Sequence, residues 1–330
     1  MLRAYRYAQG RLVLMDSTSS AELAAAPVVW IDLLRPTADE DRRVESLLAI
    51  SLPTREEMQE IEVSSRLYNE FEAQFMTLAA VTQIDADDPT LTPITFVLKG
   101  QTLITVRYEE TRAFTNFLAR SQKQGAVQCA SGEQIMASLI EALSDRMADA
   151  LEKTAADIDA ISREVFRKPR DAGGGKRSRD LEGLLERIGR SGDLLTKVSE
   201  SLVSVNRVLT YHTGGEEADK KASKEARARI KILSRDIVAL TDQTAFLSDK
   251  VSFLLDATLG LINLQQSQII KIVSVAAVVF LPPTLVASIY GMNFENMPEL
   301  KWLLGYPTAL FLMIISAVLP YLYFKRRGWL

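Results

Sequence analysis

The stretch that decides the fold runs from Ile272 to Phe324. Ile272 to Tyr290 reads IVSVAAVVFLPPTLVASIY, about 19 residues without a charge. The chain continues Gly291-Met292-Asn293-Phe294-Glu295-Asn296-Met297-Pro298-Glu299-Leu300, and a second uncharged run of about 17 residues follows from Thr308 to Phe324. A helix needs roughly 20 apolar residues to cross a bilayer, with a range of about 17 to 25. Both runs are long enough. Tyr290, Trp302, Tyr306, Tyr321, Tyr323 and Trp329 gather near the run ends, where aromatic rings settle at a membrane interface. The reading is two transmembrane helices, 271–291 and 308–324, joined by an external loop, 292–307.

Basic residues set the orientation. Lys271 precedes the first run, and Lys325, Arg326 and Arg327 follow the second. The intervening loop carries Glu295, Glu299 and only Lys301. The positive-inside rule then places both outer flanks, and both termini, in the cytoplasm. Met1 to Tyr7 is followed by no apolar h-region of a cleavable signal. Two helices per chain cannot enclose a polar pathway, so a transporter built this way must be an oligomer. A loop this short is too small for an external sensor domain.

Gly291-Met292-Asn293 after a transmembrane helix, the Met-Pro-Glu-Leu of 297–300 and the closing Tyr323-Phe324-Lys325-Arg326-Arg327 together resemble the CorA family of magnesium transport proteins. From about Leu255 to Leu330 the resemblance is end to end, and it is similar above all to the Gram-negative bacterial branch. The N-terminal two-thirds resembles the family in layout. The resemblance implies a funnel-shaped homopentamer: an α+β cytoplasmic domain, long helices and two transmembrane helices in the inner membrane of a bacterium. It implies uptake of Mg2+, with Co2+ and Ni2+, driven by membrane potential. It also implies a selectivity ring at Gly291, Met292 and Asn293. The chemistry is sensible by itself. Mg2+ dehydrates reluctantly, so a neutral amide oxygen such as that of Asn293 can hold the hydrated ion and still release it. Glu295 and Glu299 either concentrate cations at the mouth or are simply solvated.

Upstream, no proline interrupts Ala218 to Leu281. Leu233, Ile237, Leu240, Thr244, Leu247, Val251, Leu254, Thr258 and Leu261 alternate spacings of 4 and 3, a heptad seam. The expectation is one helix from Ala218 to about Met292: a stalk, 218–270, continuing into the membrane span. Beside the seam, Asp242, Asp249, Asp256 and Asn263 fall on one heptad position. Steps of three and four extend that line through Ser267, Ile270, Ser274, Ala277, Leu281, Thr284 and Ser288. In an oligomer these become stacked rings, with Val273 and Leu281 able to close a pore by dewetting. The aspartates read equally as a solvated face. By resemblance, Asp256, Ser267, Val273, Leu281, Thr284 and Asn293 match pore-lining positions of the family. Where related Gram-negative sequences carry asparagine, this one has Ser267, a shorter and weaker coordinator. Pro282-Pro283 removes backbone donors inside the span; a gating kink and plain packing explain it equally.

Residues 1–130 read as a cytoplasmic α/β domain. Val28 to Leu33 is a strand candidate, and Thr37-Ala38-Asp39-Glu40 a capped helix start. Phe71 to Ile84 and Ile94 to Tyr108 carry β-branched and aromatic residues, broken by Asp85-Ala86-Asp87-Asp88-Pro89 and by a hairpin turn at Lys99-Gly100. A helical hairpin, 131–217, follows, with helices near Glu133–Lys168 and Ser178–Thr210. Its tip is Pro169 to Lys176, and His212-Thr213-Gly214-Gly215 breaks it from the stalk. The family resemblance implies that cytoplasmic Mg2+, bound between subunits at acidic residues, holds the pore closed. Asp236, Asp242 and Asp249, with Asp85, Asp87 or Asp88, are the candidates.

Composition excludes other classes. The 330 residues are 47% hydrophobic and 25% charged, with a formal net charge of -3. Such a chain folds, and it lacks the basic excess of a nucleic-acid binder. One cysteine, Cys129, and one histidine, His212, cannot build a zinc cluster, and no catalytic constellation of an enzyme is seen. His212, at a turn, reads as a surface polar residue. Gly175-Lys176 lacks the upstream glycine and the following Ser or Thr of a phosphate loop, so no nucleotide is expected. Two alternatives remain: a zinc transporter of the same superfamily, and a membrane-anchored structural or signalling oligomer.

Overall fold

The computed structural model describes residues 1–15, 23, 27–60, 62–84, 86, 88–123, 125, 129–166, 180–214, 224–292, 297–298 and 302–329. Its contacts divide into two units, Met1–Leu255 and Asp256–Leu330.

The first unit is built on a seven-stranded sheet: β1 (Leu2–Ala8), β2 (Arg11–Leu14), β3 (Val28–Leu34), β4 (Leu67–Glu70), β5 (Ala73–Thr82), β6 (Thr90–Lys99) and β7 (Thr102–Arg107). The strand order is β2-β1-β3-β7-β6-β5-β4. Every pairing is antiparallel except β3 with β7, which register Ile31 to Ile104 and Leu33 to Val106 in parallel. The expected strand at Val28 and the hairpin at Lys99-Gly100 are both present, Gly100 supplying the positive φ of 59° that the turn requires.

Both faces of the sheet are covered, so β5 is buried along almost its whole length rather than alternating in and out. One face packs Ile31, Leu33, Phe75, Val97, Ile104 and Val106 against Val44, Ile50, Leu52 and Met58. These last residues come from α1 (Ala38–Leu48), α2 (Arg55–Gln59) and the link between them. α1 starts where the sequence says: Thr37 accepts from the Glu40 amide and Glu40 reaches back to the Thr37 amide, so two orphan donors are satisfied at once. A short α3 (Val63–Arg66) leads into β4.

The other face meets α4 (Arg112–Ser121), α5 (Gly132–Phe166) and α6 (Leu181–Gly214). α5 and α6 are the expected helical hairpin; its tip lies outside the described residues. α5 can begin only at glycine, because a Cβ on Gly132 would sit 2.5 Å from the Leu103 amide nitrogen. Ser204 on α6 accepts from the Ala79 amide at 3.0 Å, fastening the hairpin to β5.

A buried polar network crosses the parallel β3–β7 pair. Arg107 donates to both Asp32 oxygens at 2.9 and 2.8 Å, and Thr105 donates to Asp32 at 2.8 Å. Trp30 donates its indole N–H to Thr105 at 3.0 Å, and the guanidinium lies 4.5 Å from the Phe114 ring. Asp32 is fully buried and Arg107 nearly so. Fork geometry and extra donors are what make a buried ion pair tolerable.

Two further helices follow, α7 (Lys224–Tyr290) and α8 (Gly305–Arg326). α7 has 67 residues and runs through Pro282 and Pro283 without ending. Residues 215–223 lie outside the described set, so the expected start at Ala218 does too. In the second unit both helices are long and apolar enough to cross a membrane, and almost none of either apolar window is buried inside the chain. Phe280, Leu281 and Leu303 are 70%, 69% and 96% exposed.

His212 corrects an expectation. The chain does not turn there. α6 continues to Gly214, and the residue is buried, its Nδ1 2.6 Å from the Gln74 side-chain oxygen and its Nε2 3.1 Å from Glu133. Val198, Leu202, Val205, Leu209 and His212 recur at spacings of 4 and 3 and are all buried. The histidine therefore sits on the core face of its helix, where polar side chains must find partners.

Candidate ion-conduction path

α7 has two unlike faces within the first unit. Leu233, Ile237, Thr244, Leu247, Val251 and Leu254, the heptad seam, are buried. Their cover is the chain's own hairpin. Val251 lies 3.5 Å from where a Cβ on Gly192 would stand. Lys250 pairs with Asp159, Arg229 with Glu141, and Phe253 stacks on Phe166 at 6.0 Å. The sequence showed this seam without saying what covers it. It is used up inside one protomer, which leaves the opposite face free. That face carries Asp242 and Asp249, while Asp236 flanks the seam beside Ile237; all three are exposed.

In the second unit, Asp256, Asn263, Ser267, Ile270, Val273, Leu281, Thr284 and Ser288 are exposed on α7. The Thr284 hydroxyl donates to the Phe280 carbonyl at 2.8 Å. Pro282 and Pro283 have no N–H, so the carbonyls four residues earlier, on Val278 and Val279, lose their helical donors. α7 closes with the Gly291 amide donating to Ala287 at 2.9 Å and the Met292 amide to Ile289 at 3.3 Å. A Cβ on Gly291 would stand 3.1 Å from the Ala287 carbonyl oxygen, a crowding that glycine avoids. Asn293, Glu295 and Glu299 lie outside the described residues.

Of the candidate regulatory acids, Asp88 is exposed and accepts from Lys197 at 3.2 Å; Asp85 and Asp87 lie outside the described residues. Among the described residues no three His, Cys, Asp or Glu side chains of one chain converge as a metal site. The charge of Asp236 does reach α5. Asp145 is pushed above the usual carboxylate range by burial and then by Glu141, Asp149 and Asp236, against the pull of Arg120.

The basic flank is ordered by aromatic rings. Lys271 Nζ lies 5.9 Å from the Trp329 ring centre, Lys325 Nζ 6.0 Å from Tyr321, and the Arg327 guanidinium 5.7 Å from Tyr323.

A helix pair of this kind after an α/β unit and a helical hairpin also occurs in solved structures. The fold matches that of the CorA magnesium transporter from Methanocaldococcus jannaschii with a TM-score of 0.77, at 20% identity, over 100% of this chain and 99% of the other. The sequence model of the family described as "CorA-like Mg2+ transporter protein" matches residues 25–326. The chain belongs to this family. The proteins named "Magnesium transport protein CorA" from Yersinia pseudotuberculosis and Escherichia coli are each 35% identical to it over the full length of both chains. The family is one of Mg2+ transporters, not of enzymes. The first α/β unit, the long helix and the second apolar helix all agree with the architecture expected from the sequence.

Proposed function

We propose that this chain forms a homopentameric channel in the bacterial inner membrane that admits hydrated Mg2+, with Co2+ and Ni2+, into the cytoplasm. The observation that carries the reading is the family match over residues 25–326 on a chain whose apolar helix α7 ends at Tyr290, immediately before Gly291-Met292, with its polar line unburied. Asn293 and the Gly291 carbonyl would bond to the ion's water shell, and neutral oxygens hold it loosely enough for release. Glu295 and Glu299 would raise the cation concentration at the mouth. Ser288, Thr284, Ser267, Asn263 and Asp256 would mark the path inward. Ile270, Val273 and Leu281 would be its dry constriction. An inside-negative potential supplies about 2.3 kcal/mol per charge per 100 mV, twice that for a divalent ion, so flux needs no nucleotide.

Regulation by cytoplasmic Mg2+ fits the exposed acids of the stalk. Asp236, Asp242 and Asp249 cannot form a site in one chain, but copies brought side by side would repel one another until a cation sits between them. Both termini then lie in the cytoplasm with Lys271 and Lys325 to Arg327 on that side. The zinc reading is not favoured, since the full-length relatives named above are magnesium transport proteins.

Purified protein in liposomes, with an internal Mg2+-sensitive dye and an imposed inside-negative potential, tests this. Mg2+ uptake should appear in the parent and fall at least tenfold in Asn293→Ala. Proton-linked Zn2+ uptake without Mg2+ uptake would overturn the ion assignment. No flux of either ion from an intact, inserted oligomer would favour a structural or signalling role.

A further inference from the structure

We propose that Lys271, Lys325, Arg326 and Arg327, with the ring of Trp329, form a binding site for the headgroup of an anionic phospholipid. The inference rests on the membrane-crossing reading above, but not on ion selectivity.

Lys271 opens the apolar run of α7, and Lys325 and Arg326 close α8. The 5.9 Å approach of Lys271 to the Trp329 ring brings these ends together. Trp329 in turn lies 5.3 Å from Phe324. From Lys271 to Tyr290 the helix rises roughly 30 Å at about 1.5 Å per residue, the thickness of a hydrocarbon core. The cluster therefore falls at one interface, with the indole at the depth where tryptophans anchor.

The charge balance of this end is one-sided. No Asp or Glu occurs between Asp256 and Glu295, nor from Gly305 to Trp329. All four cations are exposed. Among the described residues, Lys271, Lys325 and Arg327 lie against aromatic faces rather than carboxylates. An aromatic face orients a cation and leaves its N–H donors free for another acceptor. A phosphodiester is that acceptor: two of the four groups are guanidiniums, whose fork matches two phosphate oxygens. A zwitterionic lipid carries the same phosphate, but its own ammonium competes for it. The site therefore distinguishes lipids by net charge. A headgroup held between Lys271 and Arg326 ties the start of the α7 span to the end of α8.

The test is native mass spectrometry of the full chain in detergent, offered equal phosphatidylglycerol and phosphatidylcholine with the same acyl chains. The parent should retain phosphatidylglycerol in preference. Arg326→Gln with Arg327→Gln should cut that preference at least tenfold, since each interfacial cation contributes about a factor of five. Adding Lys271→Gln and Lys325→Gln should abolish it. Lys325→Arg should keep it. Trp329→Leu, which changes no charge, should weaken retention and serves if the neutralised chains insert badly. Equal retention of the two lipids by the parent, or a preference that survives the quadruple change, would overturn the proposal. So would displacement of phosphatidylglycerol by millimolar inorganic phosphate, which would make this a site for any small anion. Because the readout is retained lipid, a protein that fails to pass Mg2+ can still pass this test.

Discussion

The two units hold apolar side chains in opposite ways. In the first, Trp30, Phe75, Phe96 and Phe114 are fully or almost fully buried, and even the polar Asp32 and Thr105 are enclosed with partners. In the second, Phe280, Leu281 and Leu303 stand open, and among the described apolar residues from 256 on only Val275 and Ala309 are buried. Water explains the first arrangement, because burial of apolar surface is the main force that folds a chain there. The second makes sense only where the surroundings are apolar themselves or are other copies of the chain. The same residue types thus report two solvents within one polypeptide.

The largest effect that would sharpen this contrast is in the sheet. Asp32→Ala leaves Arg107 charged, buried and without its fork partner, and the expected cost is about 3–5 kcal/mol. A urea melt followed by far-UV circular dichroism should show the first unit unfolding much earlier. Replacing both residues with leucine should recover most of the loss. If Asp32→Ala melts like the parent, the network is not holding β3 to β7.

Neighbours on α7 give a second test. Leu247 is 3% exposed and Phe246 is 64% exposed. Leu247→Ala should cost about 2–5 kcal/mol through the cavity it leaves. Phe246→Ala should stay within about 0.5 kcal/mol in a dissociated protomer, as surface changes do. In the intact oligomer its melting point and subunit exchange should shift if this face meets another copy. Equal effects in both states would leave the free face without a partner.

Much of this architecture was legible. The apolar runs, the capping box at Thr37, the Lys99-Gly100 hairpin and the helical hairpin are local signals, each decided by a few neighbouring residues. The parallel β3–β7 pairing was not, because it joins residues about 75 positions apart and no local pattern encodes that partner. The heptad seam was visible while its partner was not: spacing says that a stripe is buried but not against which helix. His212 was misread because Gly214-Gly215 looked like an early stop, although the 4-and-3 spacing from Val198 already placed it on the core face. At the signature motif the balance reverses. Gly291-Met292-Asn293 is clear in sequence, while only Gly291 and Met292 fall within the described residues.

A constriction test comes next in size. If Leu281 faces a pore, Leu281→Asn should wet the constriction and raise Mg2+ flux several-fold in the liposome assay at high internal Mg2+. If it faces lipid, the same change should lower the yield of inserted protein and leave flux per oligomer unchanged.

The smallest effect concerns Cys129, which probes how tightly the first unit excludes water. The thiol is 1% exposed, and burial pushes it up to about 12, against a weaker opposing pull from Arg229. Only the thiolate attacks a maleimide. A thiol in an unfolded chain ionises near 8.5, so between pH 7 and 9 unfolded protein should label quickly and native protein hardly at all. The sign follows from the raised value. The neutral thiol favours the folded state below about pH 9, and that contribution fades as pH climbs from there toward about 12. Labelling of native protein at pH 8 should therefore track the population that opens, and Asp32→Ala should speed it in proportion to the rise in that population. Native labelling as fast as in urea would mean that the site near α5 is open to solvent, and the contrast between a dry first unit and an exposed second would fail at that point.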